Sequence, residues 1–307
     1  MLSEAAHGVF TIACTPFLPD GGLDHASVAS MTEFYLKRGA TGLTLLGVMG
    51  EAPKLTQAES LKVVRGVADV VAGAVPIVVG VSSPGFAAMA ELAAGAMQAG
   101  AAGVMVAPPS SLRTDQQILD YYGHVARVLG DTPFVLQDFP LVTGVQIAPS
   151  VLLKIFAEHP TCVMLKHEDW PGLDKISTLR QASDQGARRV SILCGNGGQF
   201  LPEELARGAD GAMTGFAFPE MMAGVVAAHK AGDRARAQDI FDTYLPLVRY
   251  EAQPGRGLAI RKHILALRGA ITHADLRAPG AGLNPDAIAE VAFLIDRQER
   301  RLAKLGL

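Results

Sequence analysis

The sequence has few cysteines, few aromatic residues and no excess of either charge. Three cysteines and one tryptophan occur among 307 residues, and aromatic residues make up 6%. Because the cysteine count is odd and no CxxC pair occurs, we expect reduced, buried thiols in a cytoplasmic protein. Lysine and arginine number 27 against 30 acidic residues, so neither a basic surface for nucleic acid nor an acidic tail is predicted.

Long apolar runs and metal-binding motifs are missing as well. The sequence shows no basic-then-apolar leader and no apolar stretch that could cross a bilayer, so no membrane association is expected. None of the eight histidines stands at metal-ligand spacing from another, and no phosphate-binding glycine loop occurs. The sequence therefore predicts neither a metal nor a nucleotide cofactor.

Short apolar runs are abundant, since 49% of the residues are hydrophobic. Eight of them recur with their starts 21 to 33 residues apart, which leaves room for one helix and two loops between neighbours. Most are continuous rather than alternating, as is typical of parallel strands covered on both faces. The predicted strands are residues 9–17, 42–47, 75–81, 103–109, 133–140, 163–168, 190–196 and 211–215.

Helix signals separate these runs. Thr56 with Glu59, and Thr114 with Gln117, form predicted capping boxes. The pattern Gly-Ala-x-Gly precedes three of the runs, as expected where a helix ends on glycine and a strand begins. Eight such units predict an α/β fold, the (β/α)8 TIM barrel. The rival is an open doubly wound sheet, which the missing GxGxxG after the first run disfavours.

Strand signals stop after residue 216, and residues 219–307 read as helical. Asn284 and Pro285 would be the N-cap and first residue of a final helix. We therefore expect the barrel core within residues 1–218 and a C-terminal helical extension at 219–307. The extension would complete the barrel and cover one side or make oligomer contacts, and the whole would form one structural unit.

Lys166 stands where the sixth run ends. Chemistry in such barrels lies at the carboxyl ends of the strands, and no other lysine here directly follows three apolar strand residues. An amine at an apolar mouth loses hydration, which favours the neutral form that attacks a ketone. The alternative is a lysine that merely extends from the strand into solvent, and the local sequence alone slightly favours it.

Segments beside other strand ends add a second pattern. They are TPF at 15–17, GVMGE at 47–51, FPLVTG at 139–144 and the Gly-Ala-x-Gly entry to the eighth run. With the lysine, they resemble the dihydrodipicolinate synthase/N-acetylneuraminate lyase family of class I Schiff-base enzymes over nearly the whole barrel. The resemblance implies that Lys166 forms an imine with C2 of a 2-oxo acid substrate. It also implies that backbone N–H groups around Val48 and Met49 hold the substrate carboxylate, and that the protein is a homotetramer.

The sequence departs from the family pattern at several strand ends. Gln137 stands where the family carries a tyrosine, Val142 where the synthases carry an arginine, and Val48 and Met49 where two hydroxyl residues are usual. The tyrosine pair after strand four is replaced by residues 108–111, PPSS. These losses argue against dihydrodipicolinate synthesis. They also argue against retro-aldol cleavage, because a carboxamide cannot transfer a proton near neutrality. As a catalytic residue, Gln137 can only position a hydroxyl or a water.

Glu168 supplies a different acid or base. Alternate side chains of a strand share a face, so Lys166 and Glu168 should project together while His167 points away. The alternative is a structural ion pair or a solvated strand end. The Lys-x-Glu pair with glutamine for tyrosine looks like the 2-keto-3-deoxy-L-arabonate dehydratase branch of the family. That branch converts a 2-keto-3-deoxypentonate to 2-oxoglutarate semialdehyde, and one carboxylate in the substrate fits the loss of arginine at Val142.

The other candidates have weaker signals. Gly195 and Asn196, in the loop after the seventh run, could bind substrate hydroxyls, and a flexible loop is an equal alternative. Glu51 is interpreted as the cap of the next helix. Phe139 and Met213 are candidates for the pocket lining, with core packing favoured for Met213. Trp170 could cover the mouth or an interface. An aldolase that releases pyruvate from a similar sugar acid, and a non-catalytic 2-oxo-acid-binding barrel, remain alternatives to the dehydratase.

Overall fold

The strands form a closed barrel in the computed structural model, which describes residues 1–169 and 172–306. Over those ranges the strands are β1 (Gly8–Ile12), β2 (Gly42–Leu45), β3 (Ile77–Gly80), β4 (Gly103–Val106), β5 (Phe134–Asp138), β6 (Cys162–His167), β7 (Ser191–Cys194) and β8 (Gly211–Ala212). They pair in parallel in chain order, and β8 pairs with β1. The predicted (β/α)8 barrel is therefore confirmed. Trp170 lies outside the described residues.

Helices follow the strands and surround the barrel. Both predicted capping boxes are present, at Thr56 with Glu59 and at Thr114 with Gln117. The described helices are α1 (His25–Lys37), α2 (Gln57–Val71), α3 (Phe86–Gln98), α4 (Asp115–Leu129), α5 (Pro140–Thr143), α6 (Pro149–Glu158), α7 (Leu173–Asp184), α8 (Leu201–Ala206), α9 (Pro219–Lys230), α10 (Arg234–Glu251), α11 (Gly257–Leu267) and α12 (Pro285–Leu305).

All strands except β6 are shorter than the apolar runs that predict them. The first run covers residues 9–17, yet β1 ends at Ile12, while Ala13, Cys14 and Phe17 are buried beyond its end. The last run shrinks to the two residues of β8. An apolar run indicates that its residues are buried, whereas a strand also requires backbone hydrogen bonds to a neighbouring strand. The runs therefore locate the strands but overestimate their length.

The core consists of two layers separated by the sheet. The larger lies between the strands and the surrounding helices. The smaller fills the barrel interior, as expected for this fold, and includes Ile12, Met105, Met164, Leu193 and Met213. Met213 therefore packs in the core. Below the carboxyl ends of the strands the interior is packed with side chains, as expected for this fold.

The C-terminal helices α9 to α12 follow β8. Asn284 caps α12 by accepting a hydrogen bond from the Ala287 N–H at 2.9 Å, and Pro285 is its first residue, as predicted. The helix α9 packs beside β1 and α10, and α12 packs on α10. Among the helices in the described ranges, none is long and apolar enough to span a membrane.

Candidate active site

Three polar side chains meet at the carboxyl ends of β5 and β6. The Nζ of Lys166 lies 2.9 Å from Glu168 Oε2, and Gln137 Nε2 donates a hydrogen bond to the same oxygen at 2.7 Å. Gln137 and Lys166 are opposite each other in the register of the two strands. Each of the three residues is only 5% exposed. Neither Lys166 nor Glu168 extends into solvent, so the structure brings the sequence-predicted residues together in a buried cluster.

The alternation of β6 explains this arrangement. Lys166 and Glu168 occupy one face of the strand, above Met164 of the inner core, while His167 projects to the other face. The Nε2 atom of His167 lies 3.0 Å from the Gly172 carbonyl oxygen. Burial lowers the pKa of His167 to about 4, so its ring is neutral at pH 7. The barrel interior thus presents an amine and a carboxylate side by side above an apolar floor.

A 3₁₀ turn at Val48–Gly50 follows β2. The first N–H groups of such a turn have no partner inside it, which leaves those of Val48 and Met49 available to a ligand. The Met49 side chain packs on the inner core, while Val48 is exposed. Thr15, from the TPF segment, donates a hydrogen bond to the Gly50 carbonyl at 2.6 Å. The turn therefore offers backbone donors and two apolar side chains.

Glu51 does not cap the following helix, so that prediction is wrong. It has a left-handed φ of 54°, and it makes no side-chain capping bond. Its carboxylate instead contacts Lys262 Nζ at 2.8 Å and Lys54 Nζ at 2.7 Å, while Thr56 caps α2. The fold brings Lys262 of α11 to Glu51 across 211 residues, which no local pattern in the sequence could show.

The loop after β7 lies against Glu168. Gly195 donates its N–H to the His167 carbonyl at 2.8 Å, and Asn196 Nδ2 donates to the Glu168 carbonyl at 3.1 Å. The structure thus places both residues beside Glu168, and the Asn196 amide bonds protein backbone. Phe139, expected at the pocket, is half-buried at the start of α5.

Sequence reasoning missed a second polar cluster, on the helix side of β5 and β6. Lys175 of α7 lies 2.7 Å from Asp138 Oδ2 and 2.8 Å from Asp169 Oδ2, and it donates to the Ile147 carbonyl at 2.7 Å. Burial raises the pKa of Asp138 to about 6, although Lys175 opposes the shift. The cluster ties the ends of β5 and β6 to α7. The one available signal was an acidic residue directly after Gln137.

The site shows no arrangement for a bound metal. Across residues 1–169 and 172–306, no group of three or more histidine, cysteine, aspartate or glutamate side chains is placed to hold a metal ion. The three cysteines are buried free thiols, and burial raises the pKa of Cys162 to about 12. The polar side chains that meet at the barrel mouth are the amine of Lys166, the carboxyl group of Glu168 and the amide of Gln137.

Comparison with known proteins gives a consistent result. The model of the dihydrodipicolinate synthetase family matches residues 5–298. The L-2-keto-3-deoxyarabonate dehydratase of Azospirillum brasilense is 28% identical over 94% of both chains. The 4-hydroxy-tetrahydrodipicolinate synthase 1 of Streptomyces coelicolor is 33% identical over 84% of this chain and 82% of its own. A crystal structure of dihydrodipicolinate synthase from Rhodopseudomonas palustris superposes with a TM-score of 0.95, at 51% identity over 96% of this chain and 99% of that one.

Proposed function

Because the chain belongs to the dihydrodipicolinate synthetase family of Schiff-base lyases, we propose that it dehydrates a 2-keto-3-deoxy sugar acid. The substrate we propose is 2-keto-3-deoxy-L-arabonate, with 2-oxoglutarate semialdehyde and water as products. The observation that supports this most is the contact of 2.9 Å between Lys166 and Glu168. It pairs an amine that can form an imine with a carboxylate that can move a proton beside it.

The first step is imine formation at Lys166. The amine attacks C2 of the substrate, and the C2 oxygen leaves as water after proton transfer, which gives an iminium ion. The N–H groups at Val48 and Met49 hold the substrate carboxylate, a role that the family resemblance suggests and the open side of the turn supports. Backbone donors suffice for this contact, so the missing loop hydroxyls do not prevent it.

The second step moves protons at Glu168. The iminium ion acidifies C3, and Glu168 takes one C3 proton to give an enamine. The same carboxyl then protonates the C4 hydroxyl, which leaves as water as the enamine electrons form the C3–C4 double bond. Loss of a C5 proton and return of a proton at C3 leave an enol at C4–C5. The enol then releases its O–H proton while C4 takes up a proton, which gives the C5 aldehyde. Hydrolysis of the imine releases the product and restores Lys166.

Gln137 is the reason to prefer dehydration over cleavage. Retro-aldol cleavage requires a base for the C4 hydroxyl, and a carboxamide cannot accept that proton near neutrality. Its Nε2 donates instead to Glu168 Oε2 at 2.7 Å, which fits a role in holding the carboxylate beside Lys166. Val142, at the position of the synthase arginine, is 55% exposed and uncharged, which fits a substrate with a single carboxylate.

The resemblance to the family also suggests the assembly and the ligand class. We include in the proposal a homo-oligomer, a tetramer by that resemblance, with a small 2-oxo acid as its ligand. Light scattering on the eluate of a sizing column measures the chain number directly. A monomer at micromolar concentration would contradict the proposed oligomer and would leave the proposed reaction unaffected.

A product assay tests the function. The purified protein is incubated with a panel of 2-keto-3-deoxy pentonates and hexonates, and products are identified by mass. We expect a loss of one water from a pentonate, and borohydride reduction should attach the substrate to the peptide that contains Lys166. Pyruvate and a two-carbon aldehyde would indicate the aldolase, and consumption of pyruvate with aspartate semialdehyde would indicate the synthase. If no substrate is turned over and no lysine is labelled, the result would favour the non-catalytic 2-oxo-acid-binding barrel.

A further inference from the structure

The backbone at Gly195 lies directly against the Glu168 side chain. A Cβ atom placed on Gly195 would come within 2.6 Å of Glu168 Cδ and Oε1, and closer still to Cγ. Separations under 3.0 Å do not occur for real Cβ atoms, so any side chain at 195 would displace Glu168. The position therefore requires glycine for space.

Gly195 is held firmly in this place. Its N–H donates to the His167 carbonyl at 2.8 Å, next to the backbone of Glu168. The next residue, Asn196, donates its amide to the Glu168 carbonyl at 3.1 Å, and the Gly197 N–H donates to Thr214 Oγ1 at 2.8 Å. Asn196 has a positive φ of 50°, which asparagine tolerates better than most residues. The loop after β7 thus bonds the backbone on both sides of the Glu168 side chain.

Glu168 is consequently confined between two surfaces. Lys166 and Gln137 contact one carboxylate oxygen, Oε2, while the Gly195 backbone borders Cγ, Cδ and the other oxygen. A methyl group on Gly195 would occupy the space of Glu168 Cγ, so the Glu168 side chain would have to adopt another rotamer. Because Cγ is close to the backbone, that change would move the whole carboxylate away from the Lys166 amine.

We infer that Gly195 and Asn196 are positioning residues, which act on the reaction by holding the Glu168 carboxylate beside Lys166. The inference rests on the proposed function, in which Glu168 moves the C3 proton. It differs from a role in binding substrate hydroxyls, because both residues act through Glu168. Their replacement should therefore change proton transfer and leave imine formation intact.

The test is Gly195→Ala, measured with pyruvate. Borohydride trapping on Lys166 reports the imine, and exchange of the pyruvate methyl protons in D2O reports the proton transfer. We expect half-saturation of trapping within about 2-fold of wild type, whereas exchange falls on the order of 10²-fold, the cost of misplacing a reacting group by about 1 Å. Gly85→Ala is the control for a methyl group added in open space, because nothing lies within 4 Å of the position of its Cβ.

A double variant separates positioning from other effects. When Gly195→Ala is added to Glu168→Gln, exchange should fall no further, because the loop acts only through the carboxylate. Asn196→Gly keeps the left-handed backbone and removes the amide, so it should slow exchange about 10-fold in a protein with a native circular dichroism spectrum. It also serves if Gly195→Ala does not fold.

The outcomes keep the two ideas distinct. Exchange at the wild-type rate in both loop variants, or an effect of Gly195→Ala that is fully additive with Glu168→Gln, would overturn the positioning role. Exchange at the wild-type rate in Glu168→Gln alone would instead remove the proposed function, whatever the loop variants do. A loss of trapping that equals the loss of exchange would show that the loop acts on substrate binding, and it too would overturn the inference.

Discussion

Glu168 shares one carboxylate oxygen between the amine of Lys166 and the amide of Gln137. Burial removes water from this carboxylate, and the two neighbours replace the lost hydrogen bonds. At the scale of single residues, the site therefore keeps a charged group buried and fixed beside the amine. A general base needs this geometry within hydrogen-bond reach of the atom from which it takes a proton.

Glu168→Gln should separate binding from proton transfer. The variant retains a side chain of the same shape, so pyruvate should still be trapped on Lys166. Exchange of the pyruvate methyl protons should fall by about 10²–10⁴-fold, the typical contribution of a general base, and dehydration should fall in kcat. Proton NMR in D2O measures the exchange. Glu33→Gln, which removes an exposed carboxylate from α1, is the control. An exchange rate equal to wild type would show that another group is the base.

The turn after β2 depends on elements that are distant in the chain. Thr15 donates a hydrogen bond to the Gly50 carbonyl at the end of the turn. The next residue, Glu51, forms ion pairs with Lys54 and with Lys262 of α11. Lys262 is fully buried, and it also donates to the Asp275 carbonyl at 2.8 Å. At the scale of elements, the C-terminal extension thus supports the turn that we propose to bind the substrate carboxylate.

Lys262→Met should loosen this turn. The change leaves the buried Glu51 carboxylate with one neighbouring cation in place of two. We therefore expect the free energy of unfolding to fall by about 2–4 kcal/mol. Half-saturation of pyruvate trapping should rise several-fold while the maximal trapping rate changes little, because the turn binds the carboxylate and does no chemistry. Lys62→Met, on the exposed face of α2, is the matched control. Loss of stability with unchanged half-saturation would contradict the supporting role of α11.

At the scale of the whole molecule, a buried carboxyl group makes the free energy of unfolding depend on pH. Glu204 of α8 is buried beside the Cys194 thiol, and burial raises its pKa from 4.5 to about 8. Its Oε2 has no hydrogen-bond partner among the described residues. Between pH 4.5 and 8 the folded chain keeps this proton while the unfolded chain releases it. The native state then binds more protons, so the free energy of unfolding falls as pH rises through this interval.

Glu204→Gln should remove this contribution. The amide cannot release a proton, so the free energy of unfolding should decline less steeply between pH 4.5 and 8 than in wild type. At pH 8.5 the variant should be the more stable protein, by an amount on the order of a few kcal/mol. Urea denaturation at several pH values measures both quantities. Glu33→Gln, which removes an exposed carboxylate from α1, is the control for the loss of one carboxylate. Equal slopes for wild type and Glu204→Gln would rule out the buried acid as the cause.

The sequence alone was sufficient for the features that depend on local period and spacing. Eight evenly spaced apolar runs, with no GxGxxG after the first, predict a closed barrel over an open doubly wound sheet. The placement of Lys166 and Glu168 on one face follows from strand alternation, because side chains two residues apart point the same way. The capping boxes at Thr56 and Thr114 follow from hydrogen bonds across three residues.

Tertiary structure decided the features that depend on contacts between distant segments. The ends of the strands, the partner of Glu51 on α11, and the contact of Gly195 with Glu168 appear only when the barrel closes. The cluster of Asp138 with Lys175 appears in the same way. Local sequence sets the direction of a side chain, whereas the atoms that it meets are set by which strands and helices become neighbours. That choice is made by burial of the core as a whole, and no short segment carries it.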